Sequence, residues 1–287
     1  MYPILFEIPG LGIPLRSFGL MVVLGFLLGS YLFGRLGDKY ALDREAEAPG
    51  YASVPMWVLV GVMLGARAMY VLVEIFRGSD TGQRYIDDPL TVFYYWEGGL
   101  VMYGGTFGAI LFGLYAARKY KLRLWHSLDL GLVSGFFSLS IGRIGCLLVG
   151  DDFGKIVPES AESLPFPLVI HVPDPLPEAS LFGLDNVGQT LWATQPWMTM
   201  NALALGLFGT WMIKRRQYAG QVTLVLLVLY SIGRFTIENF RGDKIRGMWF
   251  DGALSTSQLV SLVLGSLSLV LLIVLRKRRE PKPVANT

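Results

Sequence analysis

Residues Ser257–Leu275 read SQLVSLVLGSLSLVLLIVL, a stretch of nineteen residues without a charged side chain. A helix needs about 20 largely apolar residues to cross ~30 Å of hydrocarbon, so this stretch predicts a membrane span. Six further stretches are similarly apolar: Phe18–Leu36, Met56–Phe76, Leu100–Ala117, Leu128–Val149, Met198–Ile213 and Val222–Phe240. The sequence therefore predicts an all-α polytopic membrane protein with seven transmembrane helices.

The composition of the whole chain agrees with a membrane protein. Hydrophobic residues make up 53% of the 287 residues and charged residues 16%, whereas soluble domains carry about 25% charged residues. A net charge of +3 is too small to indicate nucleic-acid binding. One cysteine and two histidines exclude an internal disulfide and a site rich in cysteine or histidine, so we expect neither a metal nor a cofactor. The N-terminus lacks a basic region and a cleavage site, so we expect its first apolar stretch to be retained.

The distribution of basic residues predicts the orientation, because Lys and Arg are retained on the cytoplasmic side. The loops after the first, third and fifth predicted spans and the C-terminal tail together hold 15 basic residues, against seven on the other side. We therefore expect the C-terminus in the cytoplasm and, with seven spans, the N-terminus outside. Residues 1–150 then hold spans one to four, 151–197 form an outer segment, 198–275 hold spans five to seven, and 276–287 form a basic cytoplasmic tail.

The outer segment between spans four and five is expected to form a small periplasmic cap. It is rich in proline, and runs such as Phe166–His171 predict short strands joined by proline turns. A disordered loop is the alternative. The aromatic residues Phe166, Phe182, Trp192 and Trp197 favour the cap.

Three arginines fall within otherwise apolar predicted helices: Arg67, Arg143 and Arg234. Each costs at least about 2.5 kcal/mol at mid-membrane depth, so each needs a partner or a wet cavity. For Arg67 we consider a structural ion pair within the bundle, with Glu74 or Asp129. Arg143 and Arg234 could instead extend to the outer surface along their aliphatic stems.

The sixth predicted span carries a charged stripe. Arg234, Glu238 and Arg241 recur at i, i+4 and i+7, so they share one helix face and leave one net positive charge. Two guanidinium groups on neighbouring helices, from Arg143 and Arg234, can bind a phosphate through bidentate, charge-assisted hydrogen bonds that lysine cannot reproduce. The residues by themselves therefore predict a lipid-phosphate site near the outer leaflet.

Paired glycines flank a second unusual stretch, Glu97-Gly98-Gly99 followed by Tyr103-Gly104-Gly105. They predict a kinked or re-entrant entry to the third span, which is tolerated only against protein or a cavity. Tyr103 lies between Met102 and the second glycine pair and is therefore a candidate site residue.

At these motifs the chain resembles the bacterial phosphatidylglycerol–prolipoprotein diacylglyceryl transferases, and the likeness covers nearly its whole length. The most specific piece runs from Gly142-Arg143-Ile144-Gly145 through Gly150 to Gly154, with Asp151 where the family commonly has Glu. Further matches are Gly65-Ala66-Arg67 with Tyr70, the two glycine-paired motifs around Glu97 and Tyr103, and Gly233-Arg234 with Glu238 and Arg241.

The resemblance implies a reaction, a location and a set of site residues. The family transfers the diacylglyceryl group of phosphatidylglycerol to the lipobox cysteine thiol of prolipoproteins in the bacterial inner membrane, and glycerol phosphate leaves. The implied partners are phosphatidylglycerol, prolipoprotein signal peptides and the lipid bilayer. The implied catalytic residues are Arg143, Arg234 and Tyr103. The implied substrate-binding residues are Arg143, Arg234, Glu238, Arg241, Asp151, Gly104 and Gly154.

Two departures from the family pattern bear on the chemistry. Tyr103 stands where the family often has His, and a phenol with a reference pKa near 10 is a poor base at neutral pH, although it can donate a hydrogen bond to phosphate. Cys146 stands where Asn is usual, and we interpret it as a small packing residue. Two alternatives stay open: a divergent paralogue that binds phospholipid without transferring it, and a membrane transporter or channel that uses the buried Arg–Glu pairs.

Overall fold

The computed structural model describes residues 1–8, 13–41, 43–243 and 247–276, and within these ranges the protein is mostly helical. Its α-helices are α1 Ser17–Tyr40, α2 Arg44–Arg77, α3 Asp80–Asp87, α4 Met102–Lys119, α5 Leu124–Val149, α6 Thr194–Ile213, α7 Gln221–Glu238 and α8 Thr256–Leu275. Three small antiparallel sheets pair β1 Ile4–Ile8 with β2 Ile13–Arg16, β3 Val169–His171 with β4 Thr190–Trp192, and β5 Met248–Trp249 with β6 Leu254–Ser255.

Five of these helices are long and apolar enough to cross a membrane: α1, α2, α5, α7 and α8. The prediction of an all-α polytopic membrane protein is therefore confirmed. The third and fifth predicted spans coincide with α4 and α6, which are helices of 18 and 20 residues but are not among those five. The predicted tail beyond Arg276 lies outside the described residues, as do Lys244 and Arg246, two of the outer basic residues.

The described chain divides into two compact units. The first comprises Met1–Leu32 and the described part of Leu128–Lys282, and the second comprises Phe33–Ser127. Arg143 and Arg234 belong to the first unit, whereas Arg67 belongs to the second.

In the second unit, α2 and α4 pack with their backbones in contact. Gly61 and Gly65 of α2 face Gly108 and Gly104 of α4, and a Cβ atom added to any of the four would collide with a carbonyl oxygen of its partner. Small residues four apart on both helices permit this approach, in which van der Waals contact drives the association of helices in a membrane. The glycines at these positions therefore determine how the two helices pair.

Arg67 joins this helix pair to the loop after α3. Its side chain is 2% exposed, and it donates hydrogen bonds of 2.6–3.3 Å to the backbone carbonyls of Thr91, Val92, Gly98 and Gly99. The rings of Tyr70, Tyr85 and Tyr95 lie 5.4–5.7 Å from its guanidinium carbon. Among the described residues, carbonyl dipoles and ring faces supply the negative potential in place of the ion pair that the sequence left open for Arg67. Glu74 instead accepts a hydrogen bond from Ser79, and Asp129 pairs with Arg216.

The segment at 151–197 in the first unit has a small core of its own. Val157, Ala161 and Val169 form one buried cluster, and Val172, Phe182 and Leu191 form another. Strand β3 falls within the run that the sequence assigned to a strand, and β4 completes the hairpin-like pair. Strand β4 leads into α6, whose first turn forms the end of the segment, and Thr194 and Gln195 of that turn hold the loop after α5.

Candidate functional site

A cleft in the first unit brings together the half-buried Arg143 and the buried Arg234. It is lined by side chains of α5, α6 and α7, namely Leu139, Arg143, Met198, Asn201, Tyr230, Arg234 and Ile237. The space between these side chains, counted together with the open space beside it, is about 230 Å³, and its enclosed part, about 10 Å³, has room for about one water molecule. Apolar side chains alternate with the two guanidinium groups and two neutral polar groups, so the lining matches a molecule that carries both a charged and an apolar part.

The packing of α5 against α1 fixes the helix that carries Arg143. Ser138 donates a hydrogen bond of 2.7 Å to the Gly25 carbonyl. A Cβ atom on Gly145 would lie 3.0 Å from the side chain of Met21, whereas beside Gly142 there is open space. Gly145 thus serves the close approach of the helices, and Gly142 leaves the backbone next to Arg143 uncovered.

Arg143 forms an ion pair with Asp152, just beyond the end of α5. The other carboxylate oxygen of Asp152 lies 2.5 Å from Nη2 of Arg241, so one carboxylate bridges two guanidinium groups. Asp152 has a φ of 55°, in the left-handed region. Its carbonyl accepts a hydrogen bond of 2.7 Å from Thr194, and the carbonyl of Asp151 accepts one of 2.9 Å from Gln195. The start of α6 therefore holds the backbone of this acidic loop.

The predicted charged stripe is present, but only its first half is helical. Arg234 lies 2.6 Å from Glu238 across one turn of α7, and its Nη2 donates to Ser257 at 2.9 Å. Helix α7 ends at Glu238, so Arg241 lies beyond the helix, 3.7 Å from the Glu238 carboxylate. Arg241 also makes two hydrogen bonds, of 2.9 and 2.6 Å, to Asp243. Each arginine of this cluster thus has at least one carboxylate partner.

The charge of the cluster differs from the sequence expectation. The stripe itself carries one net positive charge, but Asp152 and Asp243 add two carboxylates to the three guanidinium groups and Glu238. Burial acts to raise the pKa of Asp152, but Arg143 and Arg241 outweigh burial and hold its pKa below the usual range. Among the described residues, the cluster is therefore close to neutral, and its positive potential depends on where the Asp152 carboxylate lies.

Asp151, the acid that the resemblance assigned to substrate binding, has a different environment. Its carboxylate accepts a hydrogen bond of 2.9 Å from the backbone N–H of Asp152, and the ion pairs found within the described ranges involve Asp152 instead. Burial and the neighbouring Asp152 charge raise the pKa of Asp151. Asp152 is therefore the residue of this loop that contacts the arginines, and the assignment of Asp151 to substrate binding stays a prediction.

Gly154 allows the loop after α5 to pair with the residues after α7. It forms a β-bridge with Arg241, and the N–H of Lys155 donates to the carbonyl of Phe240 at 2.7 Å. A Cβ atom on Gly154 would collide with Trp192. Gly154 therefore places Arg241 next to the acidic loop.

Tyr103 and Gly104 lie in the first turn of α4, in the second unit. The Tyr103 side chain is exposed, and Gly104 is buried in the helix contact with Gly65. Gly98 and Gly99 before them have φ values of 83° and 77°, and the chain becomes helical only at Met102. The entry to α4 is thus a turn.

Cys146 is buried one turn beyond Arg143 on α5. Its sulfur lies 3.9 Å from Nη1 of Arg143, and its carbonyl accepts the N–H groups of Gly150 and Asp151 at the end of the helix. These contacts agree with a small packing residue.

Four residues of the site were not predicted from the sequence: Asp152, Tyr230, Asn201 and Ser257. For Tyr230 a signal existed, because it precedes Arg234 by four residues and so shares its face of α7. Asn201 and Ser257 become neighbours of Arg234 only through the packing of α6 and α8 against α7, to which no local pattern points.

Comparison with known proteins gives a consistent result. The family model described as "Prolipoprotein diacylglyceryl transferase" matches residues 3–274. A phosphatidylglycerol–prolipoprotein diacylglyceryl transferase of Wolbachia sp. subsp. Drosophila simulans is 28% identical over 91% of this chain and 89% of its own length. Similar relatives are transferase 2 of Clostridium perfringens, 28% identical over 94% of this chain and 95% of its own, and the transferase of Geobacter sulfurreducens, 27% identical over 92% of each.

Proposed function

Because this chain belongs to the prolipoprotein diacylglyceryl transferase family, we propose that it transfers the diacylglyceryl group of phosphatidylglycerol to the cysteine thiol of a prolipoprotein. The observation that carries the proposal within the structure is the cleft lined by both Arg143 and Arg234. In the reaction, a bond forms between the cysteine sulfur and the terminal glyceryl carbon, and the bond from that carbon to the phosphate oxygen breaks. Glycerol phosphate leaves with the bonding electrons, and the thiol proton passes to it or to water.

The phosphate is the group whose charge grows as the carbon–oxygen bond breaks. A monoanionic diester becomes a monoester that can carry a second charge, so fixed positive groups bind the transition state more strongly than the lipid. We assign this role to Arg143 and Arg234. Glu238, 2.6 Å from Arg234, keeps that guanidinium oriented, and Arg241 adds positive potential beside it.

The apolar lining of the cleft suits the acyl chains of the lipid. Leu139, Met198 and Ile237 line it beside the two arginines. A lipid whose phosphate is bound there would have its glyceryl carbon held in place for the incoming sulfur, and such alignment contributes to the rate without any further chemical group.

We also propose the seven-span arrangement with an outer N-terminus, a cytoplasmic C-terminus and a periplasmic cap at 151–197. Helices α4 and α6 serve as the third and fifth spans. Both expose large apolar side chains that suit lipid contact, Phe107, Ile110 and Leu111 on α4 and Met200, Leu203 and Leu207 on α6. Both are also followed closely by basic residues, as cytoplasmic helix ends are.

Cysteine labelling tests this topology. In a Cys146→Ser background, Glu162→Cys in the cap should react with a membrane-impermeant maleimide in intact spheroplasts. Lys121→Cys, in the loop after α4, should react only after permeabilisation. The reverse pattern would contradict the orientation.

The function is tested with purified protein in phosphatidylglycerol vesicles and a lipobox peptide. Mass spectrometry should detect the diacylglyceryl thioether of the peptide together with released glycerol phosphate. If neither forms under conditions in which a relative is active, the transferase proposal fails and a lipid-binding paralogue becomes the better description.

The role of the guanidinium geometry is tested in the same assay. Arg143→Lys keeps the charge but loses the planar pair of donors, and we expect a loss of about 100-fold in turnover, the scale of one oxyanion-stabilising donor. The control is Arg215→Lys. Arg215 follows α6, is exposed and lies over the ring of Trp211, and it does not line the cleft. Full activity of Arg143→Lys would contradict the bidentate assignment.

Tyr103 stays a candidate from the family resemblance. Tyr103→Phe removes only the hydroxyl, and we expect turnover to fall if that hydroxyl donates to the phosphate. Unchanged turnover would remove Tyr103 from the set of catalytic residues.

A further inference from the structure

We propose that the Asp152 carboxylate takes the place of the lipid phosphate in the unliganded protein. It bridges Arg143 and Arg241 until the phosphate of an anionic lipid displaces it from Arg143. The inference deepens the proposed function and rests on it. It makes Asp152 a residue that determines how strongly, and for which headgroups, the cleft binds.

The bridge has the geometry of a bound oxyanion. One oxygen of the carboxylate faces Nη1 of Arg143, and the other lies 2.5 Å from Nη2 of Arg241. The two arginines come from different parts of the fold, α5 and the residues after α7, so the carboxylate joins elements that are far apart in sequence. The two non-bridging oxygens of a phosphodiester can contact two guanidinium groups in the same way, and once Asp152 is displaced these are Arg143 and Arg234, which line the cleft.

Arg143 and Arg241 have different numbers of carboxylate partners, so displacement of Asp152 affects them differently. Arg241 also pairs with Asp243 and Glu238. Within the described ranges, Asp152 is the carboxylate that pairs with Arg143. Losing Asp152 therefore leaves Arg241 largely compensated but makes Arg143 available to a new anion. Arg143 is also the one of the two that lines the cleft.

The backbone of Asp152 is held independently of its side chain. Thr194 and Gln195 bind the carbonyl groups of Asp152 and Asp151, and the left-handed φ sets the direction of the side chain. The side chain itself is 20% exposed, so its carboxylate can rotate toward water without movement of the loop. The exchange of one anion for another is thus confined to one side chain.

The exchange explains how the arginines can be present before a lipid binds. A guanidinium group buried without a counter-ion is costly, and two of them near each other are more so. Asp152 removes this cost in the unliganded protein, and a ligand must bring its own negative charge to replace it. An anionic phosphodiester with an uncharged head group meets this requirement, and a diacylglycerol without phosphate does not.

Removing the competing carboxylate should strengthen anion binding. If Asp152 occupies the arginines about nine-tenths of the time, then Asp152→Asn increases the competent fraction about tenfold, and apparent dissociation constants fall by the same factor. We expect this for sn-glycerol 1-phosphate in detergent, measured by titration calorimetry. The KM for phosphatidylglycerol should fall by a similar factor, and kcat should fall as well because the charged product leaves more slowly.

Three matched variants complete the experiment. Asp152→Glu restores a carboxylate and should return the affinity toward that of the wild type. Asp243→Asn removes a carboxylate from Arg241 but not from Arg143 and should change the affinity by less than threefold. Glu162→Gln, an exposed carboxylate of the 151–197 segment, should have no effect.

The outcomes separate this inference from the proposed function. If Asp152→Asn binds glycerol phosphate no more tightly than the wild type, or more weakly together with a lower melting temperature, Asp152 is a structural ion-pair partner and the inference is overturned. If the wild type forms no thioether while Asp152→Asn binds the phosphate more tightly, the transferase proposal fails but anion displacement stands.

Discussion

Replacing Arg67 by lysine should loosen the loop that precedes α4 while the charge is kept. The arginine holds four loop carbonyls, of Thr91, Val92, Gly98 and Gly99, from a position that is 2% exposed. A lysine ammonium has three donors on one atom and cannot reach carbonyls arranged around a planar fork. At about 1.5–3 kcal/mol for each hydrogen bond to a charged group, losing one or two such bonds gives a cost of about 3 kcal/mol.

Hydrogen exchange followed by mass spectrometry measures this cost locally. Since a tenfold change in an equilibrium corresponds to about 1.4 kcal/mol, the open population of the loop should rise roughly 150-fold. The acceleration should be confined to peptides that cover residues 89–101. The control is Arg84→Lys in the same part of the chain, because Arg84 makes an exposed ion pair with Glu97. The reasoning is refuted if loop exchange changes by less than about threefold, or if exchange accelerates equally along the whole chain.

Three further perturbations test other parts of the fold. Asp129→Ala removes a buried carboxylate that pairs with Arg216 and should lower the free energy of unfolding by about 3–5 kcal/mol, visible as a lower melting temperature in detergent. Gly108→Leu should prevent assembly because its side chain would collide with Gly61, whereas Gly135→Leu, which meets open space, should purify normally. The pKa of Asp152 is lower in the folded protein, so its stabilising contribution is complete above the ordinary carboxyl pKa and is lost as the pH falls through the lowered value. The stability of Asp152→Asn should therefore fall less than that of the wild type as the pH is lowered. If both proteins lose the same stability in acid, Asp152 does not contribute in this way.

The sequence predicted the features that depend on local pattern. Uninterrupted apolar length identified α8 and the other long helices, because hydrocarbon thickness sets a minimum that few soluble helices meet. Spacing along a helix put Arg234 and Glu238 on one face, where they lie 2.6 Å apart. The family resemblance is confirmed by the match over residues 3–274.

The features that the sequence could not give depend on backbone turns and on contacts between distant segments. Asp151 and Asp152 look equivalent as neighbours, but the left-handed φ of Asp152 directs only its carboxylate to the arginines. An ion pair was one possibility for Arg67, and the pattern of side chains gives no sign of its backbone acceptors, the first of which is the Thr91 carbonyl, 24 residues along the chain. Arg241 was placed on a helix that ends three residues before it.

The division of the chain has a consequence for synthesis and membrane insertion. Within the described residues, the second unit is one continuous segment, Phe33–Ser127, whereas the first is built from Met1–Leu32 and residues after 127. The glycine-lined pair of α2 and α4 can therefore associate as soon as both have left the ribosome. The first helical residues of α1 must wait for α5 to be synthesised before Gly25 and Ser138 can meet. A nascent chain that has emerged from the ribosome as far as about residue 130 should accordingly contain the paired α2 and α4, and the arginine cleft should form only once α7 has emerged as well.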